Sequence, residues 1–169
     1  MTQELIELRQ SILEGRYDDA LEILDDLEEM SKQAILRKIE AFLVRLFIHL
    51  IKNQIEQRLT NSWIASISDS VIQIAKLNIK SNEKSYYIKT DEWQEYLAEA
   101  LSIAIRPASA EIFQGNLKPS QITQRLNQEE LINFADKLLH LTYQYQAKEL
   151  PDILDDHLAE LPGGQDWFE

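Results

Sequence analysis

Residues Gln33–Asn53 read QAILRKIEAFLVRLFIHLIKN, and this stretch decides the fold. Ile35, Leu36, Ile39, Phe42, Leu43, Leu46, Phe47, Leu50 and Ile51 recur three and four positions apart, the period of a helix. Val44 and Ile48 widen the stripe until it covers most of the circumference. A helix of that kind is packed on several sides. Its most apolar part, Ala41–Ile51, is too short to span a bilayer and carries Arg45 and His49, so it reads as a buried core helix.

Working outward, Leu5, Leu8, Ile12 and Leu13 predict a helix over Thr2–Leu13, ended by Gly15 in the usual position beyond a C-cap. A second helix, Tyr17–Met30, has Ala20, Leu21, Leu24 and Leu27 on one face and acids elsewhere. Ser31 is expected to cap or kink the start of the core helix. Asn61 and Ser62 are cap candidates for a helix over Ser62–Asn78. The stretch 79–89 reads as a loop that Tyr86, Tyr87 and Ile88 dock back. Thr90 is expected to cap the next helix, whose inner stripe is Trp93, Leu97, Leu101 and Ile105. Pro107 is expected to end or kink it, with a second piece Ala108–Phe113 closing at Gly115. A short turn of helix follows at Pro119–Leu126. Asn127 and Glu130 have capping-box spacing before a helix over Gln128–Gln146. Pro151–Leu161 fits a short acidic helix, after which Gly163 and Gly164 lead into a terminal Asp-Trp-Phe-Glu that either anchors to the bundle or is a short acidic-aromatic partner motif.

The expected architecture is therefore all-α. It is a single-domain helical bundle of about five to six helices around a central apolar helix at about residues 31–54. Residues 1–147 form the bundle and residues 148–169 an acidic tail with a short docked helix. The chain of 169 residues suits one domain. Its four Gly and four Pro are too few for a turn-rich sandwich or barrel. There is no cysteine, which excludes disulfides, thiolate metal sites and a cysteine nucleophile. The polar, acidic start has no basic-then-apolar leader pattern, and the expected location is cytoplasmic.

The net charge of −12 is unevenly spread. Residues 1–30 carry ten acids and two bases, residues 31–89 four and ten, residues 90–169 fifteen and five. Such acidity opposes nucleic-acid binding, unless basic residues converge on one face. Lys76, Lys80, Lys84 and Lys89 beside Tyr86 and Tyr87 are the one stretch with that composition, and a solvated lysine face explains them as well.

Other candidate chemistry is sparse. Asp18, Glu22, Asp25 and Glu29 share a helical face, as oxygen ligands for Mg²⁺ would, and Glu92, Glu95 and Glu99 offer a second row. Matched E-x-x-E and E-x-x-D pairs are missing, so a solvated acidic face is the simpler reading. Asp136 and His140 are four apart but lack a third ligand. His49, beside Arg45 and Lys52, is either a base or a half-buried structural histidine. No Gly-rich phosphate loop or nucleophile elbow is present. No cofactor is expected.

Four local patterns point to a family. Leu13-Glu14-Gly15-Arg16-Tyr17 fits L-x-x-G-[RK]-[FY], and Asp25–Met30 fits an acidic E-E-I-E-x-[LM] segment. His49-Leu50-Ile51-Lys52 fits H-L-[LI]-K, and Arg58 with Ser62-Trp63 fits R-x-x-x-S-W. In this order and spacing the chain resembles the bacterial family called domain of unknown function number 29, over residues 5–77. Asn53 departs from the pattern, which has Trp there. The resemblance implies an all-helical fold and carries over no catalytic residue. It does gather His49, Lys52, Arg58, Ser62 and Trp63 around one corner, where they either tie the structure or line an interaction groove.

The functional expectation is a non-enzymatic protein–protein interaction module with a protein partner and no membrane role, able also to form a homo-oligomer. Two alternatives are an acidic, antitoxin-like inhibitor of a basic effector and a Mg²⁺-dependent hydrolase using the acidic helices.

Overall fold

A computed structural model describes residues 2–168. Eight α-helices follow one another among the described residues: α1 Thr2–Leu13, α2 Tyr17–Glu56, α3 Asn61–Asn78, α4 Trp93–Glu111, α5 Pro119–Arg125, α6 Gln128–Gln144, α7 Leu150–Leu158 and α8 Gly164–Phe168. A 3-10 turn, Ile112–Gly115, follows α4. A lone bridge between Ile79 and Tyr86 is the only β pairing among the described residues. The all-α expectation is met. No helix among the described residues is long and apolar enough to cross a membrane.

The expected break at Ser31 does not occur: the second and third predicted helices are one helix of 40 residues. Ser31 is exposed in mid-helix. Its weak preference for a cap costs only a few tenths of a kcal/mol there, less than unwinding a turn. The chain divides into two compact units inside this helix, Met1–Lys38 and Ile39–Glu169.

The first unit is a helical hairpin. Its turn is a Schellman arrangement: Arg16 N–H donates to the Ser11 carbonyl at 2.8 Å and Gly15 N–H to that of Ile12 at 3.2 Å. Gly15 has φ 73°, the left-handed region that such a cap demands. Among its described residues only Ser11 and Ala20 are buried. Both are small and let the helices approach at the turn. The apolar faces differ from expectation. Leu21 and Leu24 do not join Ala20 on an inner face; they are exposed, as are Leu5, Ile12 and Leu13, while Ile23 and Leu27 are half-buried.

The second unit holds the core. Ile39, Leu43, Leu46, Phe47, Leu50 and Ile51 of α2 are at most 1% exposed. Here α6 packs on α3 and α4, α5 on α4, and α7 on α3 and α6. The cap of α3 is Thr60, one residue before the expected candidates, whose Oγ1 accepts from Trp63 N–H at 3.2 Å. Nor does Thr90 cap α4. Glu92 closes the preceding turn instead, its Oε1 accepting from Lys89 N–H at 2.8 Å, and the helix starts at Trp93.

Pro107 neither ends α4 nor splits off a second piece: the helix runs on to Glu111. A proline ring deprives the carbonyl four residues back of its donor. That carbonyl belongs to Ile103, which is 42% exposed, so water can serve it. The buried side is Ala104, Ala108 and Ser109, whose small size lets the helix pack closely. Asn127 caps α6 as expected, accepting from Glu130 N–H at 3.1 Å. Helix α6 ends at Gln144, so Tyr145 falls past its end and is 40% exposed.

Loop 79–89 docks as expected. Asn78 is buried and holds Ile88 at both backbone groups. In the C-terminal segment Leu150, Leu154 and Leu158 are fully buried. The glycine pair does not release Asp166, Trp167 and Phe168, which belong to α8. Glu169, the last residue of that terminus, lies outside the described residues.

Candidate functional site

The corner between α2 and α3 is built by local rules first. Asn53 C=O accepts from Gln57 N–H at 2.9 Å, and Gln57 takes φ 55° to turn the chain. Three residues later Thr60 caps α3, which places Trp63 in the first turn. Trp63 is 6% exposed. Lys52 Nζ lies 4.8 Å from its ring centroid and Arg58 Cζ 4.6 Å, so the indole carries two cations. Lys52 is buried and reaches Glu111 of α4 at 3.6 Å, while Arg58 Nε meets Glu56 at 3.3 Å.

Of the five residues expected here, Lys52, Arg58 and Trp63 are brought together. Ser62 is exposed outside the cluster. His49 is half-buried on α2, and its Nδ1 is shielded from water with no hydrogen-bond partner. Burial lowers its pKa from 6.5 to about 4, helped by the Lys52 cation and opposed by Glu111. The imidazole is thus neutral at pH 7.

Asn53, Glu56 and Glu111 complete the corner without having been expected there. Asn53 Nδ2 donates to the Arg58 carbonyl and to the Pro162 carbonyl, both at 2.9 Å. Gly163 lies so close that a Cβ would come within 3.1 Å of Leu59 N and 3.2 Å of Arg58 Cα. The three cationic or basic side chains are engaged with ring or carboxylate, or are neutral. This is the chemistry of a tied corner.

A measurable consequence concerns His49. The unfolded chain protonates this histidine below pH 6.5, whereas the folded protein resists until about pH 4. The unfolded state therefore binds more protons in that window, and stability falls as pH drops from 6.5 to 4. Fully expressed, the gap amounts to about 3 kcal/mol, and half-exposure screens it to about 1–2 kcal/mol. Urea unfolding at pH 7 and pH 4.5 should show this loss in the parent and a smaller one in His49→Leu. Parallel pH dependence in the two proteins would refute the assignment.

Elsewhere, His140 Nδ1 sits 2.8 Å from the Asp136 carbonyl oxygen and 3.5 Å from its carboxylate, an intrahelical arrangement. Among the described residues no group of three His, Asp or Glu side chains is placed to hold a metal ion. Lys80 lies over Tyr87 at 5.5 Å, and a cleft of about 640 Å³ beside Lys76, Tyr86 and Tyr143 opens next to that loop.

The hairpin presents the other distinctive surface. Among the described residues, eight of the thirteen large apolar side chains that stay exposed lie on it: Leu5, Ile6, Ile12, Leu13, Tyr17, Leu21, Leu24 and Met30. Its exposed acids include Asp25, Asp26, Glu28 and Glu29 of the acidic Asp25–Met30 pattern. The signal that could have found this surface is apolar residues too numerous for one inner face.

No curated protein and no solved structure matches the chain. A family model does match residues 8–132, about three quarters of the sequence, reaching beyond the 5–77 stretch where the resemblance is legible. That span takes in the Gly15 turn, the whole of α2, the corner at Trp63 and the start of α6. The model is described as Domain of unknown function DUF29, and the chain belongs to that family.

Proposed function

We propose that this protein is a non-enzymatic protein–protein interaction module, and that its contact surface is the N-terminal hairpin. The observation that carries this reading is the mismatch between the hairpin's apolar content and its burial. Eight large apolar side chains remain exposed over a segment whose only buried described residues are Ser11 and Ala20. Scattered exposed apolar residues are ordinary, but a concentration on one small segment marks a contact surface. The corner at Trp63 fits a supporting role, since its cations are spent on the indole and on Glu56 and Glu111.

The test compares two variants in the native host. Leu21→Ser with Leu24→Ser alters the exposed hairpin face. Ser62→Ala alters the exposed edge of the corner. The parent protein and S62A are expected to retain the same stoichiometric partner, and the hairpin variant to lose it at unchanged melting temperature. Equal retention by all three would remove the hairpin from the interaction. Retention lost only in S62A would move the surface to the corner.

A further inference from the structure

We infer that the hairpin receives a basic amphipathic helix of another protein. This rests on the interaction reading above and adds the chemistry of the occupant. At 3.6 residues per turn Tyr17, Leu21 and Leu24 of α2 form one row. They are 65%, 58% and 42% exposed. Asp18, Glu22, Asp25 and Glu29 form a second row immediately beside it on the same helix. All four are exposed. A separate shallow groove of about 860 Å³, lined by Met30 and Ala34 together with Asp26, Glu29 and Arg37, lies on another face of α2.

An apolar row with an acidic border selects its complement, an apolar row bordered by lysine or arginine. Little basic charge lies beside this border in the first thirty residues, the hairpin's other bases, Lys32, Arg37 and Lys38, following further along α2. Residues 1–30 carry ten acids against two bases, and one of those, Arg16, already binds Glu14 and Asp19. A second copy docked on the same face would bring two acidic borders together. A cationic helix relieves that charge while it covers the leucines.

The probe is a labelled leucine/lysine amphipathic peptide, titrated with the full chain and followed by fluorescence anisotropy. Two control peptides accompany it, one with glutamate in place of each lysine and one of lysine without leucine. The leucine/lysine peptide is expected to bind about tenfold or more tightly than either control, and to weaken as salt rises. Leu21→Ser with Leu24→Ser should weaken it by about tenfold or more, the effect of withdrawing apolar burial. Glu22→Gln, Asp25→Asn and Glu29→Gln together should flatten the salt dependence. Because all five positions are exposed, melting temperature should stay unchanged.

Equal binding of the glutamate peptide, or of lysine without leucine, would overturn the proposal. So would a dimer of the chain that the leucine variant disperses, since the occupant would then be a second copy. If the host partner is lost with the leucine variant while the leucine/lysine peptide never binds, the interaction reading stands and the basic helix falls. If neither the partner nor the peptide responds, both fall.

Discussion

Gly164→Ala is expected to destabilise the second unit by about 2–4 kcal/mol. A Cβ at this position would lie 2.6 Å from the carbonyl oxygens of both Leu158 and Ala159. Both obstacles are backbone at the end of α7, so no rotamer change relieves them. The chain must shift, at the cost of about 1–3 kcal/mol that overpacking brings. The shift also lifts Pro162–Gly163 from the Arg58–Leu59 backbone and strains the bond from Asn53 to the Pro162 carbonyl, about 1 kcal/mol more. The measurement is the urea midpoint at constant m. Gly15→Ala is the control, because nothing lies within 4 Å of its Cβ and only the left-handed φ is penalised, by about 1–2 kcal/mol. An unchanged midpoint in G164A would show that the α7–α8 turn is not seated as described.

Asn78→Ala should cost a comparable amount, about 2–4 kcal/mol. Asn78 ends α3 and is 1% exposed. Its Oδ1 accepts from Ile88 N–H at 2.7 Å, and its Nδ2 donates to the Ile88 carbonyl at 2.9 Å and to Tyr143 Oη at 3.1 Å. Alanine strands the Ile88 N–H in a buried site, where an unmade bond costs about 1–3 kcal/mol, and leaves a small void. Tyr143→Phe should cost less, about 1–2 kcal/mol, because Asn78 still serves the Ile88 carbonyl. It does deprive Trp93 Nε1 of its acceptor at 2.7 Å. Since Asn78, Tyr143, Ile88 and Trp93 form one connected network, the double variant should lose less than the sum of the singles. Strict additivity would mean that the network is not coupled.

What proved legible in the residues was local. Gly15, the Asn127 cap and the Trp93–Leu97–Leu101 stripe act over one or two turns and do what their spacing predicts, although the capping box is half formed, Asn127 N–H going to Gln54 and not to Glu130. Ser31 and Pro107 misled for a common reason. Each is a local signal worth a fraction of a kcal/mol to about 3 kcal/mol, set against a long helix whose other residues agree. The corner was half-readable. Lys52, Arg58 and Trp63 lie within twelve positions and meet as their proximity suggested, whereas Glu111 and Pro162 come from distant segments and no spacing announces them. The hairpin was misread in rotation, because its apolar residues suit more than one helical face. Ser11 and Ala20, the buried residues among those described in the hairpin, mark the face that turns inward.

The bond between Asn53 and the Pro162 carbonyl joins positions 109 apart in the chain. Loop closure over that separation is entropically expensive and comes late in folding. The hairpin turn, by contrast, is closed by bonds within residues 10 to 16. The α2–α3 turn can acquire its last partner only after residue 162 has been made. The α2–α3 corner therefore lacks its Pro162 tie until residue 162 has been made, whereas the Gly15 turn needs only residues 11 to 16.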